Sequence, residues 1–244
     1  MKTIIRKFLQ NRDINHKSCE MNNSQISKKN TNVCECPLCK TKAGDSFYVK
    51  AEKEYLKCNN CDLVFLSPNT YLSKNEEKAR YDLHQNNSPN SGYVKFLENF
   101  FYPMQNFVKE GSYGLDFGSG PNPILSKMFE KAGHKMKTFD MFYENNTNVF
   151  RSEEYDFITL TEVIEHLHNP IEILNKLWLC LKQKGHLGIM TKFLIGVEDF
   201  PKWYYKNDPT HVCFFSKNTF KWIAEKLNAK IDYIKDDVVI LAKI

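Results

Sequence analysis

A short apolar run, Tyr113-Gly-Leu-Asp-Phe117, breaks at Gly118-Ser-Gly120. It resumes after Pro123 as an amphipathic segment carrying Ile124, Leu125, Met128 and Phe129, which stops at Gly133. That order is strand, glycine turn, helix, with proline near the first helical position and glycine just past the last. Glycines allow a backbone to approach a ligand closely, and a helix N-terminus offers unpaired N–H groups to an anion. The stretch therefore predicts an α/β sheet with a nucleotide-like ligand over the end of this strand. A dinucleotide fingerprint would need a third glycine where Pro123 stands, so that version of the motif is not met.

The chain downstream continues the same alternation. His134-Lys-Met-Lys-Thr-Phe139 leads into Asp140, twenty positions beyond Gly120. A carboxylate at the end of a second strand can accept both ribose hydroxyls of a nucleoside lying over the glycine turn. Met141 and Phe142 would then be adenine neighbours. Only residues 141–154 separate Asp140 from the next strand, too few for a helix plus a strand, so this edge of the sheet is expected to be abbreviated. Tyr155–Thr161 reads as a buried strand that runs into Glu162-Val-Ile-Glu165-His166-Leu-His168. Asn169, Pro170 and Glu172 give N-cap, N1 proline and N3 glutamate. The helix they start is expected to carry Ile173, Leu174, Leu177, Trp178 and Leu181 and to stop at Lys184-Gly185, before a strand over 186–192. Ser216 caps a last helix through Phe220, Trp222, Ile223 and Leu227, followed by strands over 231–234 and 238–242. The whole predicts a doubly wound sheet with an antiparallel C-terminal edge.

Ahead of this lie Cys36-Pro-Leu-Cys39 and Cys58-Asn-Asn-Cys61. Two Cys-x-x-Cys pairs at this separation predict a four-thiolate zinc ribbon with Cys36, Cys39, Cys58 and Cys61 as ligands. Phe47-Tyr-Val49, Tyr55-Leu-Lys57 and Leu63–Leu66 supply its strands. So small a unit cannot bury enough core without the metal, which makes the zinc structural. Four thiolates leave no open position for catalysis. Cys34 is a spare thiol.

The net charge of +5 resides in residues 1–33, where Lys2, Arg6, Lys7, Arg12, Lys17, Lys28 and Lys29 face only Asp13 and Glu20. That segment reads as a polar, mobile tail. The remainder is neutral, unlike a body built to grip phosphate backbones, so nucleic acid is not the favoured partner. No apolar run approaches ~18 residues, which argues against a membrane span. Residues 1–10 are too broken by charge for a signal-peptide core. The expectation is a cytoplasmic protein. It divides into the tail (1–33), the ribbon (34–66), a helical linker or lid (67–111) and the α/β domain (112–244). In the linker Ser73 and Glu76 form a capping box, and Phe96, Leu97, Phe100, Met104, Phe107 and Val108 recur at helical spacing, with Pro103 expected to kink or split the helix.

Taken together, Leu115-Asp-Phe-Gly-Ser-Gly120, Asp140, Thr161-Glu-Val-Ile-Glu-His166 and the closing strand pair resemble a class I S-adenosylmethionine-dependent methyltransferase. The likeness is most specific to bacterial methyltransferase-domain proteins with an N-terminal Cys-x-x-Cys ribbon. These also show Tyr81-Asp-Leu-His84, Gly188-Ile-Met-Thr-Lys192 and the segment from Tyr204 to Phe215. One departure is Asn122, where many relatives have another glycine. The resemblance implies S-adenosylmethionine as methyl donor. It implies that Asp116 helps hold the methionine ammonium, that Gly118, Ser119 and Gly120 line methionine and ribose, and that Asp140 takes the ribose hydroxyls. Thr161 and Glu162 would flank the donor methyl, and by analogy the linker would close over the site with Tyr81, His84 and Tyr93 facing it.

Methyl transfer is an in-line displacement, so the protein mainly aligns the nucleophile and excludes water. A nitrogen or hydroxyl acceptor also has a proton to lose. His211, oriented by Asp208 on the loop after the fifth strand, is the candidate base, against the plainer reading that both residues organise the loop. His166 and His168 are expected to satisfy backbone groups, and Lys192 and Lys206 are candidates for an anionic substrate. The acceptor is left open, with a small molecule or protein favoured. RNA presented by the ribbon, or a non-catalytic adaptor on a methyltransferase scaffold, are the alternatives.

Overall fold

The structure, a computed structural model, describes residues 34–42, 44, 46–83, 91–194, 196 and 198–244. The basic tail and His84 lie outside the described residues. Among these residues no helix is long and apolar enough to cross a membrane.

Alternating and β-rich runs build two sheets. The smaller begins with β1 (Ser46–Lys50), β2 (Lys53–Lys57) and β3 (Val64–Leu66), all antiparallel. The larger comprises β4 (Tyr113–Phe117), β5 (Lys135–Phe139), β6 (Tyr155–Thr161), β7 (Leu181–Met190), β9 (Ala229–Lys235) and β10 (Val238–Lys243), in spatial order β5-β4-β6-β7-β10-β9. Its first four strands are parallel, and β10 runs antiparallel to both neighbours. This is the doubly wound sheet with an antiparallel edge that the sequence predicts. The strand order reverses between β4 and β6, and in such sheets ligands bind outside the carboxyl ends at that switch. Residues 141–154 form only a 3-10 turn at Thr147–Val149, so β5 is left as a sheet edge. Val149 and Phe150 are nevertheless buried and close the core there.

Helices cover both faces. One layer holds α2 (Ser91–Gln105) and α3 (Ile124–Lys131), whose Leu97, Phe100, Met104, Leu125 and Phe129 pack on Phe157, Met190 and Ile240. The other holds α4 (Pro170–Cys180) and α5 (Lys217–Leu227), with Leu174, Leu177, Phe220 and Ile223 in the main core. A short helix, α1 (Lys74–Asp82), precedes them, and its Ser73–Glu76 capping box forms. Ser216 likewise caps α5, which ends on left-handed Asn228.

Three boundaries differ from the sequence expectation. α2 runs through Pro103 and ends two residues later, because a proline in the last turn removes few helical hydrogen bonds. α4 ends at Cys180 rather than Lys184. Fully buried Leu181 already pairs in parallel with Tyr155, and left-handed Lys184 bulges the new strand. The ribbon sheet also does not end at residue 66. Its fourth strand is β8 (Cys213–Phe214), drawn from the loop after β7, with Val64 opposite Phe214 and Phe65 opposite Cys213. Fully buried Phe200 from the same loop meets the rings of Phe47, Tyr48, Tyr55 and Phe214 at 5.0–5.7 Å. Ribbon and α/β domain thus share one continuous core.

Candidate functional site

The two cysteine pairs fold into matching knuckles. Cys36 N–H donates to Thr41 O and Lys40 N–H to Cys36 O; Cys58 N–H donates to Leu63 O and Asp62 N–H to Cys58 O, at 2.8–3.0 Å. Lys40 and Asp62, one residue past each pair, both have φ near +60°. This repeated turn aims two sulfurs from each knuckle at one point. The Sγ atoms of Cys36, Cys39, Cys58 and Cys61 lie within 4.8 Å of one another, with Cys36–Cys61 at 3.5 Å and Cys39–Cys58 at 3.4 Å. Three of the four are fully buried. Four clustered thiols, three of them buried, fit a tetrahedral ion that keeps them as thiolates.

On the α/β domain, Gly118, Ser119, Gly120 and Asp140 come together at the carboxyl ends of β4 and β5. Gly118 and Ser119 N–H groups donate to Phe139 O at 2.7 and 3.2 Å. The Asp140 carboxylate accepts from Gly120 N–H through one oxygen at 2.9 Å, and from Phe142 and Tyr143 N–H through the other. Gly118 and Gly120 both have positive φ, and a Cβ on Gly120 would meet nothing within 4 Å, so the turn is open on its outer side. Met141 beyond it is exposed. Asp116, near the end of β4, is 2% exposed. Its oxygens accept from Thr159 Oγ1 at 2.8 Å and Ser126 Oγ at 2.9 Å, and burial raises its carboxyl to about 6. The turn of residues 141–143 faces α1, where Tyr143 Oη donates to Asp82 at 2.8 Å and the Tyr81 ring meets Phe142 at 5.4 Å and His166 at 5.3 Å.

At the end of β6, Thr161 is followed by Glu162 in left-handed backbone, φ 54°, a strained state for a non-glycine residue. Its N–H donates to Met190 O at 2.9 Å. The next residue, Val163, fills the space beside Gly118. Burial, then the like charge of Glu165, raise the Glu162 carboxyl to about 8.

His211 is 9% exposed and donates from Nδ1 to Tyr205 O at 2.7 Å. Burial, reinforced by the neighbouring His166, lowers its pKa. Asp208 accepts from Thr210 N–H and Oγ1 and lies 3.7 Å from Arg80. Those contacts organise the loop. His166 Nδ1 donates to Thr210 O at 3.1 Å, whereas the His168 ring lies tilted against Tyr71 at 4.4 Å with Nε2 2.8 Å from Glu77 Oε1. Lys192 meets Asp237 at 3.2 Å. Lys206 is buried, donates to Pro201 O and Trp203 O, and sits 5.8 Å from the Tyr48 and Phe200 rings, which ties the loop to the ribbon.

Sequence reasoning missed the role of Tyr205 and Glu165. The Tyr205 hydroxyl bridges Thr191, Glu162 and fully buried Glu165. The advance signal was Glu165 directly after the apolar pair Val163-Ile164 at the end of β6.

A family profile described as "Methyltransferase domain" matches residues 84–234. No curated protein sequence matches the chain. Among solved structures, the 1,6-didemethyltoxoflavin-N1-methyltransferase of Burkholderia thailandensis, with 1,6-didemethyltoxoflavin and S-adenosylhomocysteine bound, is similar at a TM-score of 0.50. The identity is 12%, and the match covers 82% of this chain and 99% of that one. A SAM-dependent methyltransferase from Archaeoglobus fulgidus gives TM-score 0.45 at 16% identity, covering 62% and 99%. Another, from Aquifex aeolicus, gives 0.44 at 17%, covering 71% and 100%.

Proposed function

The chain belongs to the methyltransferase-domain family that matches residues 84–234, and from that premise we propose that it transfers a methyl group from S-adenosylmethionine to a nitrogen or oxygen of a small molecule or protein. The observation that carries this reading is the link from Gly120 N–H to the Asp140 carboxylate across the open face of the turn. S-adenosylmethionine, when bound, supplies a methyl group already activated by a sulfonium charge. Asp140 would exchange its backbone donors for the ribose hydroxyls, and Gly118, Ser119 and Gly120 would bring backbone close to ribose and methionine. Asp116 would act on the ammonium through its field from below, while Thr161 and Glu162 would flank the methyl. Helix α1, through Tyr81 and Asp82, would shield the site from water.

Cys36, Cys39, Cys58 and Cys61 would hold a structural zinc, which supplies cohesion and no open coordination position. Because β3 pairs with β8, that ion would also fix the loop that carries Tyr205 and His211.

Calorimetric titration of S-adenosylhomocysteine into zinc-replete full chain tests the reading. Binding is expected, and at least about tenfold weaker in Asp140→Ala, equivalent to about 1.4 kcal/mol. Asp140→Asn keeps an acceptor for Gly120 N–H and separates loss of the turn from loss of the ligand. No binding to folded, metal-loaded wild type would overturn the reading and favour a scaffold role.

A further inference from the structure

Away from the cysteine cluster, the fold brings together three side chains with the composition of a metal site. Glu165 and His166 lie on the 3-10 turn Ile164–His166 that follows β6. His211 comes from the loop ahead of β8. Its neighbour Val212 donates N–H to Glu165 O at 2.9 Å, so backbone ties loop to turn. Glu165, His166 and His211 each offer a ligand atom, and these atoms lie within 4.8 Å of one another. His166 Nε2 is 3.9 Å from Glu165 Oε1, and the two imidazole rings meet edge to face at 4.6 Å.

The hydrogen bonds prepare both rings as ligands. His211 Nδ1 lies 2.7 Å from Tyr205 O, and His166 Nδ1 lies 3.1 Å from Thr210 O. A carbonyl oxygen only accepts, so each ring carries a proton on Nδ1, and in the neutral ring the lone pair is on Nε2. Ligating histidines are oriented in the same way, by giving their other N–H to a backbone carbonyl or a carboxylate. The carboxylate, by contrast, is short of partners. Glu165 is fully buried; its Oε1 accepts from Tyr205 Oη, and its Oε2 has no hydrogen-bond partner. An unsatisfied buried carboxylate oxygen is costly, and a cation would answer both its lone pairs and its charge.

We propose that Glu165, His166 and His211 form a second metal site, for a divalent first-row transition ion such as zinc or cobalt. Two imidazoles and one carboxylate suit such an ion, whereas magnesium and calcium favour oxygen donors. Bonds of about 2.0–2.2 Å put ligand atoms about 3–4 Å apart, so small side-chain rotations close the cluster on an ion. Three protein ligands leave a position open for water or an oxygen of a bound molecule, unlike the closed cysteine site. The Tyr81 ring of α1 meets His166 at 5.3 Å and, at 5.4 Å, Phe142 in the turn after Asp140. One aromatic ring thus separates the metal site from that turn. The ligand set itself owes nothing to the methyltransferase reading.

The test uses the full chain with zinc in its cysteine cluster, and divalent cobalt as the probe. Calorimetric titration should find about one further ion per chain, bound at micromolar or lower concentration. Its visible spectrum should be that of nitrogen and oxygen ligands, without the thiolate charge-transfer bands that cobalt in the cysteine cluster would show. Glu165→Gln keeps an acceptor for Tyr205 and removes the charge, and His166→Gln alters the half-buried ligand. Each should weaken cobalt binding at least about tenfold while the chain keeps its zinc. Anomalous scattering at the cobalt edge needs no variant, and should place the ion between the three side chains in wild-type crystals. No cobalt beyond the zinc, thiolate bands in its spectrum, an anomalous peak elsewhere, or undiminished binding in both variants would each overturn the proposal.

Discussion

Gly118 and Gly120 stand two residues apart, yet the structure gives them different duties, and alanine at each separates stability from binding. Both have positive φ, 80° and 65°. Left-handed backbone costs a residue with a Cβ about 1–2 kcal/mol, partly offset by about 0.4–1 kcal/mol of lost freedom in the unfolded chain. At Gly120 the new Cβ meets nothing within 4 Å, so Gly120→Ala is expected to cost about 1 kcal/mol. At Gly118 the Cβ would lie 2.3 Å from one Val163 methyl and 3.0 Å from the other. Val163 must then shift, which adds about 1–3 kcal/mol of overpacking and brings Gly118→Ala to about 3 kcal/mol. With a urea slope of about 3 kcal/mol/M, the midpoints should fall by about 0.3 M and about 1 M respectively. Binding should rank the variants the other way. The empty space over Gly120 is where the ligand would lie, so Gly120→Ala should bind S-adenosylhomocysteine at least about tenfold more weakly while unfolding almost like wild type. Equal midpoints for the two variants, or undiminished binding by Gly120→Ala, would refute this assignment.

Two other outcomes follow from the same contacts. Chelation of the proposed zinc should remove hydrogen-exchange protection from residues 53–66 and 208–216 together, because Leu66 N–H donates to Val212 O and β8 pairs only with β3 in its sheet. Retained protection at 208–216 in protein shown to be metal-free would exclude that coupling. Asp116 titrates near 6 when folded, above its ordinary 3.8, so the folded state holds a proton that the unfolded chain has lost between those values. Stability should therefore fall as pH rises from about 4 to about 6, by about 3 kcal/mol, and level off above. Asp116→Asn should flatten that slope in urea melts, and an unchanged slope would point to other groups.

The sequence by itself determined whatever depends on neighbours along the chain. The glycine turn needs two positive-φ positions. The knuckles need cysteines three positions apart and a turn just after. The Ser73 and Ser216 caps need only a hydroxyl and the third residue on. Asp140 was legible too, because a strand and a helix of ordinary length set its distance from the turn. Tertiary structure alone decided the rest. Asn169 looked like a side-chain cap, but its Oδ1 accepts from Lys40 of the first knuckle at 2.7 Å. A two-residue strand such as β8 has no period to detect, and it exists because β3 offers an unpaired edge. His211 beside Asp208 suggested a base on the loop after the fifth strand, and only the tertiary structure packs Tyr205 against its ring and gives its Nδ1 the Tyr205 carbonyl as partner. The carboxylate pair at Glu162 and Glu165 became a site only when Tyr205, some forty residues away, placed one hydroxyl between them. Local sterics and hydrogen bonds are written in adjacent residues. Burial and proton sharing are properties of which distant segments meet, and a single sequence does not record them.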